Sequence, residues 1–207
     1  FLIGRNPADF IDNMKEIDWR LYGNASAKTV LEIALYDLAG KAQKKSVAEL
    51  LGGVQRARMP VVKMLATGDL ETDIGDARDG ADEGYAAMKI KVGGKPVDQD
   101  IERTNAIGAV LAGTVQLSSD TNQGWSRDEA VSFARGASGV LDFLEQPLPG
   151  HDVEGMAMIA GEASCPIAAD EGLHSFDDVR RHYAMGAAQG GSVKMIKLGG
   201  VTRAHDA

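Results

Sequence analysis

The strongest constraint on this chain is a rhythm that sets in near residue 59. From there, short apolar runs alternate with longer amphipathic segments. The runs at 60–65, 86–92, 114–119, 141–144, 166–169 and 192–198 read as strands. The segments 69–83, 97–111, 127–136, 153–162 and 176–185 between them read as helices. Strand and helix in alternation imply parallel pairing through crossover connections, hence an α/β fold. Six strands fit either a doubly wound sheet or a partial (β/α)8 TIM-type barrel with about six of its βα units present.

The stretch before this rhythm has a different texture. Val30, Leu31, Ala34, Leu35, Leu38 and Ala42 recur at spacings of three and four, the apolar face of a helix. Ser46-Val47-Ala48-Glu49 is a capping-box pattern, and Gly52-Gly53 supplies the left-handed stop that ends a short helix. The chain therefore divides into a helical piece, 1–56, and a β/α piece, 57–207.

Composition removes several functional classes. The 207 residues carry 22 Lys and Arg against 30 Asp and Glu, a net charge of −8. That balance, without any Lys/Arg-rich run, argues against a nucleic-acid or anionic-membrane surface. No window holds the roughly 20 uncharged apolar residues that span a bilayer. The single cysteine, Cys165, cannot close an internal disulfide, which fits a reducing cytoplasm. The opening Phe1-Leu2-Ile3-Gly4-Arg5 has neither an initiator Met nor a signal-peptide pattern, and the end reads as a helix cut short. The expectation is part of a longer chain.

Ionisable residues close strand after strand: Lys91, Asp120, Glu145, Asp170 and Lys194, at intervals of 24 to 29 residues. One βα unit of a barrel takes roughly 30 residues, so each unit delivers one such side chain to the same end of the sheet. That end is where βα loops converge and sites are built. Strand parity puts Lys89 and Lys91 on one face and Met88, Ile90 and Val92 on the other. The apolar face suits packing under helices, which leaves two lysines facing inward, where an unpaired ammonium is costly.

Asp120, Glu145 and Asp170 come from three consecutive strands. Drawn together, three carboxylates repel unless protonated or bridged by a cation. Oxygen-only ligands with no His or Cys nearby favour a hard ion, and Mg2+ suits a site that leaves positions for substrate and water. Asn122 shares the parity of Asp120 and would support the site. Lys194 and Lys197 stand three apart in the 192–198 run, so on a strand only one points inward, and parity alone leaves both open.

These residues resemble the enolase superfamily, and within it the muconate-lactonizing-enzyme subgroup. The motifs are Lys89-Ile90-Lys91, Asp120-Thr121-Asn122, Leu144-Glu145-Gln146-Pro147, Ala169-Asp170-Glu171 and the run from Lys194 to Gly200. Ala34 to Lys41, with Leu50-Leu51-Gly52-Gly53, resembles the helical part of that family's N-terminal capping domain. The resemblance makes 1–56 the C-terminal helical part of a capping domain. It makes 57–207 barrel units one to six, without the last strands.

It further implies that Asp120, Glu145 and Asp170 bind Mg2+, with Asn122 and Glu171 beside them. Lys91 becomes the acid/base on one face of the substrate, with Lys89 next to it. Lys194, five residues before the first Gly of Gly199-Gly200, becomes the acid/base on the other face. The implied chemistry is removal of the proton α to a carboxylate, with the resulting enediolate stabilised by the metal.

Two opposed lysines suit racemisation or epimerisation of an amino-acid-like carboxylate, since one takes the proton and the other returns it. A cycloisomerase or dehydratase would use the same residues, and a non-catalytic metal-binding barrel is the reading from another class. The expected partner is a small-molecule carboxylate, with no nucleic acid and no membrane, in a homo-oligomer. His151, His174, His182 and His205 show no ligand spacing, Cys165 reads as a small core residue, and Trp125 as loop packing. The acidic residues between Asp69 and Glu83 read as a solvent-facing stretch.

Overall fold

The computed structural model describes all residues, 1–207. They form two compact units, one of Phe1–Arg58, His174–Phe176 and Val193–Ala207, the other of Met59–Leu173 and Asp177–Ser192.

In the first unit α1 (Phe10–Arg20), α2 (Ala25–Gln43) and α3 (Val47–Leu50) lead the chain. The capping box before α3 forms: Ser46 Oγ accepts from the Glu49 N–H, and the Glu49 carboxylate accepts from the Ser46 N–H at 2.7 Å. Gly52 and Gly53 follow with φ of 105° and 116°, the left-handed stop the sequence announces. The buried face of α2 differs from the one counted from apolar spacing. Lys28, Thr29, Glu32, Leu35, Tyr36 and Ala39 are covered, while Val30 and Leu38 are exposed. Hydrogen bonds select that face. Thr29 Oγ1 donates to the Met195 carbonyl at 2.8 Å, the Thr202 N–H donates to Glu32 at 3.2 Å, and the Tyr36 hydroxyl meets Thr202 Oγ1 at 2.9 Å. Apolar periodicity carries no information about such partners.

The second unit is the α/β rhythm realised. Its strands are β1 (Val62–Leu65), β2 (Ala87–Lys91), β3 (Gln116–Asp120), β4 (Phe143–Glu145), β5 (Ile167–Ala169) and β6 (Gly190–Gly191). The helices between them are α4 (Leu70–Asp82), α5 (Val97–Leu111), α6 (Arg127–Gly136), α7 (Val153–Glu162) and α8 (Phe176–Ala184). All neighbouring strands pair in parallel, in the order β1-β2-β3-β4-β5-β6. This is the order of a (β/α)8 barrel with six units present, and it excludes the doubly wound alternative, whose strand order doubles back.

The outer face of the sheet and the inner faces of the helices make the core. Leu65, Met88, Ile90, Leu117, Leu144 and Ile167 pack with Ile107, Phe133, Met156 and Ile159, all buried. Each such side chain contributes about 1.5–3 kcal/mol on burial. Local signals start the helices: Ser126 and Glu129 form a capping box on α6, and Asp69 and Asp152 accept from the N–H groups of Thr72 and Gly155.

Two expectations need correction. The 192–198 run is not a strand. Pairing ends at Gly191, and Met195–Leu198 is a short helix, α9, followed by α10 (Val201–Asp206). A short apolar run fits either state, and what decides is Gly199, at φ 85°, whose N–H closes the helix on the Met195 carbonyl at 2.9 Å. Lys194 and Lys197 therefore do not lie on opposite faces of a strand. Nor is the acidic stretch of α4 wholly solvated, because Asp73 is fully buried. No helix is long and apolar enough to cross a membrane.

Candidate active site

Register builds the site. Lys91, the last residue of β2, lies opposite Asp120 at the end of β3, and Asp120 lies opposite Glu145 at the end of β4. Met88 and Ile90 enter the core, so Lys89 and Lys91 emerge on the inner face, as parity predicts. Lys91 Nζ donates to Asp120 Oδ2 at 2.5 Å and also to Asn122 Oδ1. Lys89 Nζ donates to Glu145 Oε2, while Ser192 Oγ donates to Glu145 Oε1 at 2.5 Å. Asp170 follows β5 by one residue. The three carboxylates are 3%, 2% and 2% exposed for Asp120, Glu145 and Asp170. A cavity of about 420 Å³ lies against the inner face, with Val62, Lys89, Ser118, Glu145, Ala168 and Ser192 on its wall.

The turns that follow the strands are fixed by side chains. Asn122 adopts φ 47°, its N–H donates to Asp120 Oδ1 at 2.9 Å, and its amide donates to Glu171 Oε1 at 2.9 Å. Gln146, absent from the expected site, ties three of these turns together. Fully buried at φ 37°, it accepts from the Asp170 N–H at 2.7 Å and the Gly172 N–H at 3.1 Å. Its amide donates to the Leu148 carbonyl at 2.8 Å, and its own carbonyl accepts from Thr121 Oγ1 at 2.8 Å and the Gln123 N–H at 3.0 Å. A glutamine among acids at a strand end was the available signal. Only the fold shows that both ends of its amide and its backbone carbonyl are used.

The donor set suits a hard divalent cation. Its oxygens are carboxylate oxygens, and Glu171 Oε2 is a further buried oxygen without a hydrogen-bond partner. In the arrangement described, lysine ammonium groups supply the positive charge beside Asp120 and Glu145, and no three His, Cys, Asp or Glu side chains converge on one point. Asp120, Glu145 and Asp170 are the residues that would hold such an ion.

Residues 73–207 match the family described as "Enolase C-terminal domain-like", and residues 1–52 match "Mandelate racemase / muconate lactonizing enzyme, N-terminal domain". The chain belongs to the enolase superfamily. Its subgroup is that of the muconate lactonizing enzymes. It is 32% identical over 202 residues to an N-succinyl-L-Arg/Lys racemase of Bacillus cereus, covering 97% of this chain and 54% of that one. It is also 32% identical over 206 residues to an L-Ala-D/L-Glu epimerase of Clostridium acetobutylicum, covering 98% and 57%. A crystal structure of muconate cycloisomerase from Pseudomonas fluorescens superposes with a TM-score of 0.93 at 32% identity, over 99% of this chain and 57% of that one. The chain thus spans a little over half the length of these relatives.

Within this enolase-superfamily chain, Lys194 belongs to the first unit. It stands exposed and extended (φ −125°, ψ 126°) immediately before α9, with Lys197 inside that helix. Trp125 is buried and its ring centroid lies 4.5 Å from that of Phe133, so it packs the loop. Burial pushes the Cys165 thiol up, away from the thiolate a nucleophile needs, in keeping with a core residue. His182 is buried with Nδ1 against the Asp178 carbonyl at 2.8 Å, a helix-packing role.

Proposed function

We propose that this chain carries the proton-transfer site of an isomerase that removes and returns the proton α to a carboxylate, most simply as a racemase or epimerase of an N-acylated amino acid or dipeptide. The supporting observation is Lys91: a part-exposed amine at a strand end, held by Asp120 and Asn122 among buried carboxylates. The relatives named as a racemase and an epimerase support the reaction class.

In its neutral form, after giving one proton to solvent, Lys91 takes the α-proton at Nζ and becomes the ammonium held by Asp120 and Asn122. Asp120 and Asn122 orient that amine by accepting its hydrogens, and Lys89 balances the charge of Glu145. Lys194 is assigned the return of the proton to the opposite face from its position five residues before Gly199, which matches the family pattern. Asp120, Glu145 and Asp170 would hold a Mg2+ ion, which would supply positive charge where the substrate carboxylate gains negative charge. Cycloisomerisation is the second reading, favoured by the muconate cycloisomerase structure of the same fold.

Proton NMR in D2O with Mg2+ tests both, using N-succinyl-L-lysine, L-Ala-L-Glu and cis,cis-muconate as probes. Racemisation exchanges the α-proton of one of the first two and inverts its configuration, whereas cycloisomerisation converts muconate to lactone. In a racemase, Lys91→Ala and Lys194→Ala each abolish inversion, and each variant retains exchange of one enantiomer only. Inversion at the wild-type rate in Lys91→Ala would overturn the assignment.

A further inference from the structure

Asp73, Asp100 and Arg103 lie in the second unit, and none of them belongs to the expected site. They are 0%, 1% and 4% exposed. Arg103 Nη1 donates to Asp73 Oδ2 at 2.5 Å, and Nη2 donates to Asp100 Oδ1 at 3.3 Å. Nη2 also donates to the backbone carbonyl of Lys91. Asp73 Oδ1 accepts from Thr67 Oγ1 at 2.8 Å and the Thr67 N–H at 3.2 Å, and its Oδ2 accepts from the Gly68 N–H at 3.3 Å. Asp100 Oδ2 accepts from the Gly93 N–H at 2.7 Å. The three side chains therefore grip the turn after β1, the last residue of β2 and the turn after β2.

The place of this grip is informative. β1 ends at Leu65, opposite Ile90, so beside Lys91 no strand residue remains on that side. Pairing beyond Lys91 continues only toward β3, through the Val92 N–H to the Asp120 carbonyl at 3.0 Å. The Lys91 carbonyl thus has no ladder partner toward β1, and Arg103 takes that position. Buried ionic groups of this kind add little net stability, because desolvation offsets their attraction, and apolar replacements often serve as well. Burial pushes the Asp100 carboxyl above the usual carboxylate range, a sign of that opposing cost. A fork with three acceptors at fixed angles gives geometry instead.

We propose that Arg103, locked by Asp73 and Asp100, is a positioning residue that sets the backbone, and through it the amine, of Lys91. The proposal rests on the reading of Lys91 as the proton-transferring group. Arg103→Lys keeps the charge, but one nitrogen replaces the two guanidinium nitrogens that reach Asp73, Asp100 and the Lys91 carbonyl. Asp100→Asn keeps the shape and removes a buried charge.

Both variants, with Lys91→Met as control, are made in the whole protein carrying this chain. The assay is Mg2+-dependent inversion of N-succinyl-L-lysine or L-Ala-L-Glu, whichever the wild type turns over faster. Displacing a reacting group by an ångström costs on the order of 100-fold, so kcat is expected to fall about 10- to 100-fold with KM changed less than about twofold. In Asp100→Asn the fall in kcat is expected to exceed what any fall in melting temperature accounts for. A second readout needs no substrate: the rate at which acetic anhydride labels Lys91 relative to Lys41, an exposed lysine on α2. That ratio should change several-fold in both variants. Wild-type kcat and an unchanged labelling ratio in both would overturn the positioning role while Lys91→Met stays inactive. Losses in kcat that merely track losses in melting temperature would also overturn it. Inversion at the wild-type rate by Lys91→Met would overturn both readings together. If Arg103→Lys fails to fold, Asp100→Asn alone decides.

Discussion

Glu145 shows what a single residue must satisfy at this site. It is 2% exposed, takes the ammonium of Lys89 on one oxygen, and accepts the Ser192 hydroxyl on the other. Removing Lys89 leaves a buried carboxylate with one partner. Lys89→Met is therefore expected to destabilise the fold by about 2–3 kcal/mol, below the full value for a sealed pair because Lys89 is partly exposed. Lys89→Met combined with Glu145→Met is expected to recover most of that loss, as measured by urea unfolding. If the double variant is less stable than the single one, the pair is not what links these two residues. The same carboxylates are the ones that would hold a metal ion. Calorimetric titration is expected to show Mg2+ bound at least tenfold more weakly in Asp120→Asn, Glu145→Gln and Asp170→Asn, since each removes anionic oxygen from the donor set. Unchanged affinity in all three would remove the metal assignment.

Helices are held to one another by a different kind of pair. Asp152 caps α7 by accepting from the Gly155 N–H at 3.0 Å, and it receives a bidentate fork from Arg127 at the start of α6, at 2.8 and 2.5 Å. The Arg127 guanidinium beside Asp152 holds its carboxyl below the usual carboxylate range. A carboxylate lowered in this way stabilises the fold above its unfolded pKa, about 3.9, and loses that contribution as pH falls through the lower folded value. Asp152→Ala should thus lose about 1–2 kcal/mol at pH 7, with the gap to wild type narrowing below about pH 3.9. Urea midpoints at pH 7 and pH 3 measure it. A gap that grows in acid would show that the Arg127 pair is not its source. Gly150 sets a related limit between loops, since an added Cβ would sit 2.6 Å from the Glu171 carbonyl oxygen, next to Asp170. Alanine there would force apart backbone that cannot yield as a side chain does.

At the scale of the molecule, the sheet runs from β1 to β6 with one bonded neighbour at each end. Its inner face near β1 is open: Val62 and Met64 are each 44% exposed. Unpaired strand edges and uncovered apolar side chains both favour association, and closure of a barrel removes both. These 207 residues expressed alone are therefore expected to self-associate or melt broadly. Sedimentation and thermal unfolding across a range of concentrations test this. A monomer with a sharp melt independent of concentration would show that the open edges carry no such penalty.

The sequence by itself determined the order of elements in the second unit, because alternating apolar periods and capping residues such as Ser126 with Glu129 are local properties. It also placed Lys91, Asp120 and Glu145 at one level, since the period of the βα unit and the parity of strands survive any detail of packing. Three matters were left to tertiary structure. The state of 192–198 turned on the left-handed closure at Gly199, not on its apolar content. The covered face of α2 was chosen by partners 166 to 170 residues away in sequence, at Met195 and Thr202. The acids of α4 look alike in sequence, yet Asp73 alone of those from Asp69 to Glu83 is sealed, because α5 brings Arg103 to it across 30 residues. Periodicity tells which side of an element is apolar. Which polar side chain is buried depends on a partner that only the folded chain brings within reach.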